Sequence, residues 1–290
     1  MKILVVYNPA AGGGREALLK RLVQALERRG ADVEVYRTKA PGDATRHLQA
    51  RAHQGDVVVA VGGDGTTNEV LNGLDDGVPL GIFGTGTANV LARELNLPRH
   101  PEQAAEVMVN GASLTVWPGD LAGRRFMMWT GVGYDAWVVQ GTDLGVKRRF
   151  GKLAYVLAMI RQLARYGTTD YRLRIDGRDY QARSAIIANG RHYGGRFVLT
   201  RQADLTQPTL QVLLFNAPGR LALLKCLMAL PFGAMERVDG IVSLPAREIE
   251  IEASEQDEPL QADGDPAGIL PARVTVAERA VLVRVARDSA

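Results

Sequence analysis

The sequence predicts an open parallel α/β sheet over about its first hundred residues and a mainly antiparallel β half after them. Three patterns carry that expectation. Apolar β-rich runs alternate with amphipathic stretches at the start, Asp56 to Val61 among them is near-continuous in Val, and from about Leu114 the runs are short and split by Gly, Asp and Pro. In order, Ile3 to Tyr7 reads as a strand, Arg15 to Arg29 as a helix with Leu18, Leu19, Leu22, Val23 and Leu26 as its apolar positions, and Val33 to Tyr36 as a second strand. Ala44 to His53 reads as a helix, Asp56 to Val61 as a strand buried on both faces, and Thr67 to Gly73 as a helix start. Pro79 to Phe83 is a further buried strand, and Asn89 to Leu95 a helix closed by Pro98. In the second half, Arg125 to Trp129, Tyr171 to Ile175, Ser184 to Ala188 and Leu210 to Phe215 read as strands, with helices from Arg149 to Tyr166 and from Arg220 to about Leu230. The expected domains are 1–117 and 118–290, with the last strand free to pack back on the first. With no Ser/Gly tether in the sequence, a cleft between the halves is the default ligand site.

Composition narrows the function classes. The 290 residues are 46% hydrophobic and 23% charged, the profile of a globular protein rather than a disordered one. A net charge of +3 is too small to indicate bulk nucleic-acid binding. Cys226 is the single cysteine, which excludes an internal disulfide and suggests a reducing compartment. Met1 to Tyr7 runs into Asn8-Pro9 without an export signal, and Leu221 to Met235 is interrupted by Lys225 and Pro231. A cytoplasmic protein without a spanning helix is expected.

The strongest local motif is Gly62-Gly63-Asp64-Gly65-Thr66-Thr67-Asn68, placed directly after a buried strand and before a helix. Glycines let the backbone approach an anion, free N–H groups at a helix start point at it, and the helix dipole favours negative charge, so this is a phosphate geometry. A carboxylate among phosphate-binding amides is repulsive unless a cation lies between them, so Asp64 is expected to face a nucleotide-bound Mg²⁺. The bland alternative is a glycine-rich turn with Asp64 or Thr66 as the helix cap. Gly84-Thr85-Gly86-Thr87-Ala88-Asn89 follows the next strand in the same way, so both loops should open on one sheet edge. Gly12, Gly14 and Ala17 match a dinucleotide fingerprint formally, but four residues separate the strand from the first glycine, which argues against a dehydrogenase.

Together, Asn8-Pro9-Ala10-Ala11-Gly12, the Gly62 to Asn68 loop, and Gly86-Thr87-Ala88-Asn89 followed by Ala92-Arg93 resemble, in order and spacing, the diacylglycerol kinase catalytic-domain family, specifically its bacterial soluble lipid kinases. The resemblance covers nearly the whole chain. It implies an N-terminal α/β domain like those of phosphofructokinases and NAD kinases, a C-terminal β-sandwich domain, ATP and Mg²⁺ as cofactors, and a lipid hydroxyl as acceptor. It further implies nucleotide contacts at Asn8, Pro9, Ala10, Ala11, Gly12, Thr38, Gly62, Gly63, Asp64, Gly65, Thr66, Thr67, Asn68 and Thr87. Asp263-Gly264-Asp265-Pro266 resembles the family's Asp-Gly-Glu-Pro block, which places the proton acceptor on Asp265, with Asp64 as the substitute if it cannot reach. Asp is one methylene shorter than Glu, a difference in reach of ~1.5 Å.

Two further positions depart from the family pattern. Gln207-Pro208-Thr209-Leu210 lacks the acidic ligand of a structural Mg²⁺ site, which leaves Asp204 as a weak candidate, and Val90 replaces a common Asp. For a lipid substrate and transient contact with the inner membrane surface, two stretches qualify. Lys147 to Arg165 holds six basic residues and no acidic one around an apolar stripe of Leu153, Val156, Leu157, Ile160, Leu163 and Ala164. Leu221 to Phe232 is the other; in both, packing on the β domain is the competing explanation. A kinase of a soluble hydroxyl compound and a catalytically impaired nucleotide- or lipid-binding module are the rival functions, and a homodimer is left open.

Overall fold

The computed structural model describes residues 1–11, 15–141, 161–162, 166, 169–255 and 257–287. Gly12 and nearly all of the Lys147 to Tyr166 stretch lie outside them. The chain divides into two compact units, the first made of Met1–Pro118, Gly194–Arg196 and the segment from Glu278 onward, the second of Gly119–Tyr193 and Phe197–Ala277.

The first unit is built from β1 (Lys2–Tyr7), α1 (Glu16–Arg28), β2 (Asp32–Arg37), α2 (Asp43–Gln49), β3 (Val57–Gly62), α3 (Asp64–Gly73), β4 (Leu80–Gly84), α4 (Val90–Glu94), α5 (Pro101–Asn110) and β5 (Ala112–Val116). With the last strand of the chain, β20 (Val281–Val285), these form a six-stranded sheet of order β2-β1-β3-β4-β20-β5. The first four strands are mutually parallel, β20 runs parallel to β4, and β5 is antiparallel to β20. Every residue of β3 is buried, as its unbroken Val-Val-Val-Ala-Val run requires of a strand covered on both faces. Val57, Val59 and Val61 share a core with Leu19, Leu22 and Leu26 of α1 and with Ala104, Ala105 and Met108 of α5. Each of those α1 leucines contributes about 1.5–3 kcal/mol on burial. Helix α3 begins at Asp64, a turn earlier than Thr67, because the glycine turn leads straight into helical backbone. Helix α5 is not apparent in the sequence reading; it starts with Pro at its first position and buries Pro101, Ala104, Ala105 and Met108.

In the second unit, β6 (Gly119–Leu121), β7 (Arg124–Phe126), β8 (Trp129–Val132), α6 (Tyr134–Gln140), β9 (Tyr171–Ile175), β10 (Arg178–Ala182) and β11 (Ser184–Ala188) come first. There follow a small hairpin, β12 (His192–Tyr193) and β13 (Phe197–Val198), then β14 (Leu210–Phe215) and α7 (Arg220–Ala229). The unit ends with β15 (Ile241–Ala246), β16 (Glu248–Ala253), β17 (Pro259–Ala262), β18 (Asp265–Ile269) and β19 (Ala272–Val276). Two six-stranded sheets result, of order β10-β9-β16-β19-β6-β7 and β15-β14-β11-β8-β17-β18, with all of their pairings antiparallel where registers are defined. Tyr171, Leu173 and Ile175 alternate with exposed residues along β9 and meet Ile187, Val212 and Leu214 of the other sheet in one core. That is the inward and outward alternation of a β-sandwich. The expected fold class, a parallel α/β unit followed by an antiparallel sandwich, is the one observed.

Candidate active site

Strand order makes the first site. Because β1 is flanked by β2 on one side and β3 on the other, the connections leaving β1 and β3 diverge, and open α/β sheets take ligands at this switch point beyond the strand ends. Asn8 follows β1, Thr38 follows β2, and the Gly62 to Thr67 turn follows β3, so the three segments meet at one edge. The Thr38 N–H donates to the Tyr7 carbonyl at 2.9 Å and the Asn8 N–H to the Val61 carbonyl at 3.0 Å. Asn8 then turns its side chain both ways: Oδ1 accepts the Ala10 N–H at 2.9 Å, and Nδ2 donates to Thr66 Oγ1 at 3.1 Å. Pro9 and Ala10 remain exposed.

The residue before α3 is Gly63, in extended conformation and with no side-chain cap. The helix therefore presents first-turn N–H groups at Asp64, Gly65 and Thr66 that its own carbonyls cannot satisfy. Neither Asp64 nor Thr66 is the cap. Thr66, Thr67 and Asn68 are buried, Gly65 is exposed at the mouth, and Thr67 Oγ1 donates back to the Gly63 carbonyl at 3.3 Å.

The second loop is fastened to the first. The Thr85 and Gly86 N–H groups donate to the Gly62 carbonyl at 2.7 and 3.3 Å. A Cβ on Gly86 would stand 2.6 Å from the Gly63 Cα, so only glycine permits this approach. Asn89, in left-handed backbone, closes the loop by exchanging hydrogen bonds with Gly86 at 2.8 and 2.9 Å. Thr87 is exposed at the loop tip, and the buried Thr85 Oγ1 has no hydrogen-bond partner among the described residues.

Asp64 carries the role that the sequence concealed. Its Oδ1 accepts the Val90 N–H at 2.6 Å, so it caps α4 from outside that helix. Burial pushes its carboxyl above the ordinary range, while the backbone N–H groups of Val90, Asn89 and Leu91 pull the other way. The cap does not remove Asp64 as an oxygen donor for a cation bound mainly by phosphates, which needs only one or two carboxylates. The donor set therefore fits a nucleotide-bound Mg²⁺. Asp204 instead spends Oδ1 on the Thr206 N–H and hydroxyl at 2.9 and 2.8 Å, and no group of three His, Cys, Asp or Glu side chains suited to a metal occurs among the described residues.

In the second unit, Asp265 opens β18 opposite Ala262, half-buried. Its neighbour Asp263 does different work. Its carboxylate accepts the N–H groups of Met127 and Met128 at 2.8 Å and of Trp129 at 3.2 Å. From the other side, the Gly264 N–H donates to Gln261 Oε1 at 3.0 Å, and Gln261 Nε2 donates to Asp135 Oδ2 at 2.6 Å. Tyr193 donates its hydroxyl to Asp135 Oδ1. A Cβ on Gly131 would lie 2.8 Å from Asp135 Oδ2, so that glycine makes room for the carboxyl. Asp135, in the first turn of α6, is buried, and burial pushes it up to about 6 against the pull of its two donors. The Asp265 turn is thus braced by Asp263 and by the Asp135 to Gln261 pair. Neither brace was found from the sequence, since each spans more than a hundred residues; the Gly131-Val132-Gly133 run before Asp135 was the available signal.

A glycine-led helix at the switch point of a parallel sheet, followed in the chain by an antiparallel sandwich, is the arrangement that the matching family models assign to a kinase. Residues 2–120 match the diacylglycerol kinase catalytic domain, and residues 129–285 match the YegS C-terminal NAD kinase beta sandwich-like domain. A diacylglycerol kinase of Mycobacterium tuberculosis is 30% identical over 298 aligned residues, covering 97% of this chain and 94% of that protein. One from Bacillus subtilis is 27% identical, covering 99% and 97%. Among solved structures, a diacylglycerol kinase from Bacillus anthracis superposes with a TM-score of 0.81 at 25% identity over 100% of this chain and 98% of that one. An NAD kinase from Archaeoglobus fulgidus shares the fold, with a TM-score of 0.58 at 16% identity over 100% and 95%. The chain belongs to the diacylglycerol kinase family.

Proposed function

We propose that the protein is an ATP-dependent lipid kinase that transfers the γ-phosphoryl group to a lipid hydroxyl such as that of diacylglycerol, working at the cytoplasmic membrane surface. The observation that carries this reading is the uncapped start of α3, fastened to Asn8 through Thr66 and to the second loop through Gly62. In a family of kinases, backbone amides at a helix start of this kind suit a triphosphate tail. Asn8 to Ala11, Thr38 and Thr87 flank the nucleotide in this reading. Asp64, together with the nucleotide phosphates, would hold a Mg²⁺ that would supply neutralising charge to the phosphates. Relatives named diacylglycerol kinase support the lipid acceptor, and among the described residues no helix is long and apolar enough to cross a membrane.

The acceptor oxygen forms a bond to the γ-phosphorus as the bond to the bridging oxygen of ADP breaks, and Asp265 takes the hydroxyl proton late in that transfer. The amides at the α3 start hold the phosphates in line, so most of the acceleration comes from positioning and electrostatics. The bracing of its turn by Asp263 and Gln261 would hold a shorter acid in place. The test is incubation with γ-labelled ATP, Mg²⁺ and a total lipid extract, with Asp265→Asn and Asp64→Asn in parallel. The reading predicts label in one lipid class and at least a thousandfold loss in both variants, on the scale of removing a general base together with misplacing the nucleotide. ATP binding without label in any lipid would overturn it, and turnover retained in Asp265→Asn but lost in Asp64→Asn would move the base to Asp64.

A further inference from the structure

Helix α7 is apolar on both of its faces. Leu223, Cys226 and, just past the helix end, Leu230 are buried, and Leu223 packs with Tyr134, Val138 and Tyr166. On the opposite face Leu221 is 76% exposed, Leu224 48%, Met228 64% and, in the 3-10 turn that continues the helix, Phe232 78%. At 3.6 residues per turn these four fall within about a quarter of the helix circumference. Single exposed leucines are ordinary, but a contiguous stripe of four large apolar side chains marks a contact surface.

Charge selects the partner. Arg220 and Lys225 flank the stripe, both exposed, and neither forms an ion pair with a carboxylate among the described residues. From Ala217 to Met235 the sequence holds no acidic residue. A second copy docked by two-fold symmetry would bring these cations to its own, whereas an anionic lipid surface complements them. A helix docked by one apolar face and exposing a second apolar stripe with basic flanks is placed to seat that stripe at the headgroup boundary of a bilayer.

We propose that the Leu221 to Phe232 face is an interfacial anchor: Leu221, Leu224, Met228 and Phe232 enter the acyl boundary of an anionic bilayer while Arg220 and Lys225 meet lipid phosphates. The purpose of the anchor rests on the lipid kinase reading, but its binding does not require phosphoryl transfer.

The experiment is co-sedimentation of the full chain with unilamellar vesicles of phosphatidylcholine, alone and mixed with phosphatidylglycerol. Mixed vesicles should bind the protein more tightly, and salt should weaken that preference. Leu221→Ser combined with Phe232→Ser should lower affinity by about tenfold or more, with an unchanged melting temperature because both side chains are exposed. Arg220→Gln and Lys225→Gln should each cost about fivefold on mixed vesicles and little on phosphatidylcholine. Vesicle binding indifferent to the serine substitutions overturns the anchor, as does a serine variant that dissolves a dimer while binding vesicles normally. Turnover of a water-soluble short-chain diacylglycerol separates the two readings. Vesicle binding that depends on the stripe, without turnover, sustains the anchor and defeats the kinase; normal turnover with stripe-independent vesicle binding does the reverse.

Discussion

Asp64 Oδ1 lies 2.6 Å from the Val90 backbone nitrogen, and this contact ties the start of α3 to the start of α4. The most conspicuous acid of the glycine motif is therefore a helix cap for a different loop. Asp64→Ala should cost about 0.5–2 kcal/mol of stability, the usual value of a lost cap, whereas Asp64→Asn keeps an oxygen for Val90 and should cost less. Urea denaturation of the two variants checks this; equal losses would mean that the contact contributes nothing.

Gly86 approaches the Gly63 backbone too closely for any side chain. Gly86→Ala should push the loops apart, at a cost of about 1–3 kcal/mol, and weaken ATP binding by about tenfold or more, since the amides at the α3 start lose their alignment. Titration calorimetry with ATP measures the second effect. Unaltered affinity would separate the second loop from the nucleotide site.

The two acids of the Asp263-Gly264-Asp265 turn should fail differently. Asp263 holds three backbone N–H groups, so Asp263→Ala should lower stability by about 2–4 kcal/mol. Asp265→Asn should melt within about 1 kcal/mol of the parent while losing turnover. Melting curves and kinetics on the same pair of proteins decide the matter, and a stable, inactive Asp263→Ala would reverse the roles.

Asp135 should make stability depend on pH. Burial raises its carboxyl from 3.8 to about 6, so the folded chain holds this proton more tightly than the unfolded chain. Its favourable contribution is complete below the unfolded value and is lost as pH rises through the folded one. The shift corresponds to about 3 kcal/mol. Against Asp135→Asn, the parent should therefore lose up to about 3 kcal/mol between about pH 4 and about pH 7 in urea denaturation. A difference that stays constant over that range would contradict this.

The parts of the fold that local pattern dictates were legible. Val57 to Gly62 is an apolar run and Leu210 to Phe215 an apolar run but for Gln211, both buried along their whole length, and α1 displays its leucines at helical spacing. Helix α5 was not, because Met108 is the one large apolar side chain among its buried positions, which leaves little periodic signal. At the site, the glycine turn declared itself as a tight strand-to-helix connection, since close approach restricts residue type locally. The partners of Asp64, Asp135 and Asp263 did not, because a carboxylate has the same letter whether it faces a ligand or an amide supplied by a strand far along the chain.

The most direct measurement is the structure of the protein with a non-hydrolysable ATP analogue and Mg²⁺. The account predicts phosphate oxygens against the amides of the Gly62 to Thr67 bend, with Asp64 beside the metal. A nucleotide bound elsewhere, or that bend left vacant under saturating analogue, would contradict it.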